Sequence, residues 1–204
     1  MEKLIYGVGL NDADYKVTRK VSDKTLYCPF YERWRGMLSR CYGKRYKTYI
    51  GCTVCDSWLV FSNFKKWMLT QDWKGKELDK DLLVSGNKQY SPETCVFVSQ
   101  KVNKFVIENK KSRGEFLIGT YFKKDRSKFV SLCRNPCSGK AEYLGSYDNE
   151  IEAHLAWVDR KLELVKELRI AEEIDDRIEC ALLSKYKGIR QSALKMKAPR
   201  EQQG

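Results

Sequence analysis

The segment Lys76–Phe105, KELDKDLLVSGNKQYSPETCVFVSQKVNKF, reads as strand, loop, strand and helix. Leu78 to Val84 is expected to be a strand carrying Asp79, Lys80 and Asp81. Gly86-Asn87 and Ser91-Pro92 mark turns, because glycine, asparagine and proline punctuate regular structure. Cys95 to Val98 is a second, apolar strand, and Gln100 to Val106 opens a helix that carries Asn103. Alternation along a regular strand puts Asp79 and Asp81 on one side. Two carboxylates facing an amide on the following helix make an oxygen-rich set suited to a divalent cation.

Upstream, Tyr31, Trp34, Leu38 and Cys41/Tyr42 recur at helical spacing, and Pro29 suits a first turn. Arg33, Arg35, Arg40, Lys44, Arg45 and Lys47 surround this stripe. They form either a solvated face or one that lies along a phosphate backbone. Val54 to Trp58 is expected to be extended. Phe61, Phe64, Trp67 and Met68 then repeat as a helix, with Asp56-Ser57 as its cap. Residues 1–27 read as an irregular lead-in with short extended pieces such as Tyr15 to Val21.

Cys52 and Cys55 form a CxxC, and a zinc site needs two more ligands. Cys28, Cys41 and Cys95 are available, but there is no second CxxC and no nearby histidine, so buried thiols are favoured over structural Zn2+. Cys133, Cys137 and Cys180 read the same way.

Downstream, 109–113 is expected to be a linker between residues 1–108 and a small module at 114–168. Phe116 to Phe122, Lys128 to Arg134 and Lys140 to Tyr147 are three strands with turn-like separators, KKDRS and NPCSG. Asn149 to Leu168 is a helix with a core stripe of Ile151, Leu155, Val158, Leu162 and Val165. With one sheet face on that helix, the other is free, and Lys123, Arg126, Lys128, Arg134 and Lys140 cluster on or beside it. His154, the single histidine, sits among apolar neighbours and reads as structural. Residues 169–186 suggest a helix that packs back on the protein or mediates self-association. Lys185 to Gly204 reads as a basic tail. The fold class is therefore α+β.

The formal net charge is +12, with 42% apolar residues. Such a balance points to a polyanionic partner, nucleic acid first. An anionic membrane surface lacks the amphipathic basic helix or lipidation motif it needs. No run reaches the ~20 apolar residues of a membrane span, and the N-terminus turns polar too soon for a signal peptide, so an intracellular location is expected.

Two resemblances cover most of the chain between residues 30 and 168. YERWRGMLSRCY (31–42), VCDSWLVFSNFKKWM (54–68) and LDKDLLVSGNKQYSPETCVFVSQKVN (78–103) resemble, in order, phage-encoded HNH-type endonucleases, including homing endonucleases. That resemblance implies a ββα-metal core behind a helical scaffold, Mg2+ or another divalent cation, and a location in the host cytoplasm. It makes Asp79 and Asn103 metal ligands, with Lys80 or Asp81 serving the water or the scissile phosphate. Lys80 stands where the family has its general-base histidine, and Thr94 stands at the family's asparagine. Ordinary lysine, with a pKa near ~10.4, is a poor base. The alternative is therefore a catalytically inactive, nuclease-fold DNA-binding or regulatory protein.

GTYFKKDRSKFVSLCRNP (119–136) and EYLGSYDNEIEAHLAW (142–157) resemble the APETALA-type, ethylene-response-factor-like DNA-binding domain. The resemblance implies double-stranded DNA as partner, met by Tyr121, Lys123, Lys128, Arg134 and Tyr143 on the sheet, with Arg126 beside them. Leu132 and Ala141 replace the family's strand glutamate and arginine, so no base preference carries over. RNA binding is a weaker option that the basic, aromatic composition permits without an RNA motif.

Overall fold

The computed structural model describes residues 4–106 and 115–197. These described residues form an α+β fold with five α-helices and four small sheets. The chain divides into two compact units, Met1–Val98 and Ser99–Gly204. The linker expected at 109–113 lies outside the described residues. Among those residues no helix is long and apolar enough to cross a membrane.

The first unit is built on two helices, α1 (Pro29–Tyr42) and α2 (Phe61–Leu69). Pro29 opens α1, where its missing N–H costs nothing. Trp34, Met37 and Leu38 of α1 and Phe64 and Met68 of α2 are fully buried. Trp34 lies 5.5 Å from Phe61, centroid to centroid, and its indole N–H donates to the Trp58 carbonyl at 2.7 Å. Trp34→Phe keeps most of the apolar volume but strands that buried carbonyl. Roughly 1–3 kcal/mol of stability should be lost, read as a lower urea midpoint with unchanged slope.

Asp56-Ser57 does not cap α2. Residues Asp56–Leu59 form a 3-10 turn, and the Ser62 N–H in the first turn of α2 donates instead to Asp12 Oδ1 at 2.9 Å. The expected extended run from Val54 shrinks to β3 (Thr53–Val54), since the 3-10 turn intervenes. The lead-in also contains a hairpin, β1 (Thr18–Val21) and β2 (Lys24–Tyr27). The first central strand, β4 (Glu77–Asp79), stops at Asp79 rather than Val84. Two downstream N–H groups turn onto the Asp79 carboxylate and end the extended run. Two further strands follow, β5 (Gln89–Tyr90) and β6 (Val96–Val98). β3 pairs in parallel with β5, and β4 pairs antiparallel with β6, Asp79 opposite Val96.

The second unit begins with α3 (Gln100–Val106). Its C-terminal carbonyls tie it to the helices that follow. Lys161 Nζ (2.9 Å) and Tyr186 Oη (3.2 Å) donate to the Phe105 carbonyl, and Lys185 Nζ (3.1 Å) to that of Val106. Lys161, 8% exposed, also sits 3.7 Å from the Phe105 ring centroid. Strands β7 (Thr120–Lys123), β8 (Lys128–Arg134) and β9 (Ala141–Tyr147) form an antiparallel sheet in that order. It packs on α4 (Glu150–Ala171), which Asn149 caps through Oδ1 and the Ile151 N–H at 2.7 Å.

The core face of α4 is Ala153, His154, Trp157, Val158, Lys161, Leu164, Val165 and Leu168. Ile151, Leu155 and Leu162 of the expected stripe are only half-buried. The helix is covered by the sheet and also by α5 (Asp176–Lys197), so its buried surface is wider than one stripe. His154 Nδ1 lies 2.8 Å from the Ile118 carbonyl and its ring stacks on Trp157. The expected helix 169–186 with a loose tail is corrected: α4 ends at Ala171, and α5 runs to Lys197. Glu173 takes a left-handed φ of 48° between them, and Asp175 Oδ1 accepts from the Ile178 N–H. Ile178, Leu182, Tyr186 and Ala193 then continue one buried stripe into the basic segment. The end of the tail, 198–204, lies outside the described residues.

Candidate functional site

Asp79 closes β4, and its Oδ1 accepts from the N–H groups of Asp81 (2.9 Å) and Leu82 (2.7 Å). Burial pushes its carboxyl up from the usual range. The two backbone donors pull the other way, and the neighbouring Asp81 carboxylate adds to the upward push. Asp81 is not on the strand beside Asp79, as alternation had suggested, but in the turn that follows. The two carboxylates are brought together by this turn rather than by strand geometry.

Lys80 is only 8% exposed. Its ammonium donates to Asp81 Oδ2 at 3.1 Å and to the Asn87 carbonyl at 3.0 Å, and stands 5.9 Å from the Tyr49 ring centroid. Asn87 fixes the loop in return, its amide donating to the Lys80 and Gln89 carbonyls, both at 2.6 Å. A side chain holding both a carboxylate and a carbonyl acts as a donor. The position therefore suits binding an anion or orienting Asp81 better than taking a proton from water.

An open pocket of about 200 Å3 lies here, lined by Thr48, Tyr49, Leu78, Asp79, Lys80, Asp81 and Tyr90. Arg40 of α1 backs it, its guanidinium carbon 5.7 Å from the Tyr49 centroid and 5.5 Å from that of Tyr90. Its Nε donates to Tyr90 Oη at 3.0 Å, and burial pushes that phenol far up. Tyr49, Tyr90 and Asn87 were not singled out as site residues from the sequence. The basic-aromatic run KRYKTY (44–49) was the available signal for Tyr49. Asn103 lies on α3, in the second unit, its N–H donating to the Ser99 carbonyl.

Among the described residues no group of three or more His, Cys, Asp or Glu side chains is placed to hold a metal ion. Asp79 and Asp81 together offer a carboxylate pair. Such a set fits a hydrated, oxygen-liganded ion of the Mg2+ kind, which keeps several waters and takes further ligands from substrate phosphate. Burial pushes the thiols of Cys41 and Cys95 up to about 11 and about 12.

In the second unit the register places the sheet candidates together. Tyr121 pairs with Val130, Lys123 with Lys128, Leu132 with Tyr143 and Arg134 with Ala141, so each pair shares one face. Tyr121 and Tyr143 are 43% and 63% exposed. The opposite face carries buried Cys133, and Glu142, which receives the Arg160 guanidinium of α4 at 2.7 Å. Lys123 is paired with Asp125 at 3.5 Å, and Lys128 with Asp148. Arg126 is exposed on the 3-10 turn Lys124–Arg126 between β7 and β8. No family model matches the chain, and neither a curated protein nor a solved structure gives a significant match.

Proposed function

We propose that the protein binds double-stranded DNA and, through the Asp79 pocket, cleaves its phosphodiester backbone as a metal-dependent, HNH-type endonuclease. One observation carries the reading. Asp79, at the end of an antiparallel strand pair, meets a second carboxylate and a buried lysine in one open pocket. Along the chain β4 is followed, after the two-residue β5, by its antiparallel partner β6 and then by α3, the strand–strand–helix succession of a ββα core. Asp79, with Asp81, would hold the divalent cation. When bound, such an ion neutralises charge developing on the leaving oxygen. Lys80 spends two of its three N–H donors on Asp81 and Asn87, which leaves one for a phosphate oxygen. Asp81, the more exposed of the two carboxylates, would serve either as the second ligand or as acceptor of the attacking water's proton. The open sheet face, with Tyr121, Arg134 and Tyr143, supplies affinity for the duplex, and the +12 charge favours it.

A second reading is favoured by the same lysine. Because Lys80 is bonded as a donor where a base would stand, the pocket also suits a nuclease fold that binds DNA without cutting it. Incubation with supercoiled plasmid in Mg2+ or Mn2+, beside a gel-shift control, separates the two. Metal-dependent nicking that stops with chelator supports the first reading. A tight shift with no cutting under either metal supports the second. Neither cutting nor a shift would sink both.

A further inference from the structure

We propose that the β1–β2 hairpin is a groove-binding arm, which the first unit inserts into double-stranded DNA. The inference rests on the DNA-binding reading above and assigns to it a surface that neither the Asp79 pocket nor the β7–β9 sheet supplies.

All eight strand residues are exposed. A two-stranded ribbon gains little from burial and is marginal by itself. Its base is tied to the rest of the unit. The Cys28 N–H donates to the Val17 carbonyl at 2.8 Å, Tyr27 stacks on Tyr31 at 6.4 Å, and Arg35 lies 5.5 Å from the Tyr27 ring centroid. Beyond that base the ribbon exposes Val21 (48%) and Leu26 (42%).

The register sets Arg19 opposite Leu26 and Val21 opposite Lys24 on one face, and Lys20 opposite Thr25 on the other. Cations thus project from both faces. A groove with phosphates on both walls matches this, whereas a flat anionic surface would be met by one face only. Among the described residues Arg19, Lys20 and Lys24 form no ion pair, whereas Lys123 and Lys128 of the sheet are each paired with a carboxylate. The ribbon's cations therefore reach a phosphate without first breaking an internal pair. Dimensions agree. Four residues per strand rise about 13 Å, enough to reach the floor of a major groove ~12 Å wide and ~8.5 Å deep, which admits a two-stranded ribbon. The apolar tips of Val21 and Leu26 then have the thymine methyl groups as partners.

The test titrates the full chain with a duplex of about 30 base pairs by fluorescence anisotropy, between about 50 and 200 mM salt. Wild type is compared with a triple variant, Arg19→Ala, Lys20→Ala and Lys24→Ala, and with a charge-keeping one, Arg19→Lys, Lys20→Arg and Lys24→Arg. The alanine variant should lower the slope of log affinity against log salt by about 2 to 3 and bind at least about tenfold more weakly at the higher salt. The charge-keeping variant should retain the wild-type slope. Circular dichroism should not change, because no strand residue is buried. An unchanged slope in the alanine variant, with wild type binding DNA, overturns the arm and leaves the DNA-binding reading intact. If wild type does not bind the duplex, that reading fails and takes the arm with it. Loss of binding to phosphatidylserine-containing vesicles with the DNA slope unchanged also overturns it, in favour of a membrane surface.

Discussion

Asp79→Asn should give a protein that is more stable and, on the proposed nuclease reading, much slower to cut. The asparagine keeps Oδ1 as acceptor for the Asp81 and Leu82 N–H groups while removing a charge that burial and Asp81 both oppose. The sign follows from linkage. A carboxyl whose folded pKa is raised binds its proton more tightly in the folded state, so stability falls as pH climbs from the unfolded value, near ~3.9, to the raised folded one. Above that the deficit stays constant. In chelator, the melting temperature of Asp79→Asn should match wild type at the acid end. It should exceed wild type increasingly through that window and hold its lead at neutral pH. On the proposed nuclease reading, cleavage should meanwhile fall on the order of 10²-fold or more, because the carboxylate would both hold the cation and fix it relative to the phosphate. Equal melting temperatures across the range would mean that the Asp79 charge is already compensated in the fold. Retained cleavage would remove Asp79 from the centre.

Gly119→Ala should selectively unfold the second unit. Gly119 has φ 82°, and a β-carbon there would lie 2.1 Å from Cγ of Trp157. Trp157 is 5% exposed and held between the His154 ring and Tyr186, so it has little room to retreat. Left-handed backbone costs an alanine about 1–2 kcal/mol, and overpacking adds about 1–3 kcal/mol. A combined loss of roughly 3 kcal/mol should appear in hydrogen exchange as faster exchange in β7, β8 and α4, with α1 and α2 unchanged. Unaltered protection in α4 would show that Trp157 can swing aside.

The helices α1, α2 and α3, the start of α4 and the three-stranded sheet were legible because each is written in local spacing. What escaped was set by partners distant in sequence. Asp12 caps α2 from 50 residues away, a relation no local pattern records. Asp79 ends its own strand by accepting two N–H groups, which broke the alternation used to place Asp81. α5 runs through a stretch whose lysines suggested a loose tail, because Tyr186 and Ala193 continue a buried stripe that charge composition hides. For the pocket, Asp79 and Lys80 were visible as motif positions. Tyr49 and Tyr90 were not, since they lie 41 residues apart and are brought to one pocket by the β3–β5 pairing and by Arg40, which sits over both rings.

The anchoring of α3 determines where the chain can be cut. A fragment designed from sequence would start near residue 114. It would lose Val102 and Phe105 from its interior, and with them the carbonyl to which Lys161 and Tyr186 donate. A fragment starting at Ser99 keeps that carbonyl and the ring over which the Lys161 ammonium sits. Dissection of this protein into separately expressed halves should therefore place the break ahead of α3, so that the ammonium is not left to find its acceptor in water.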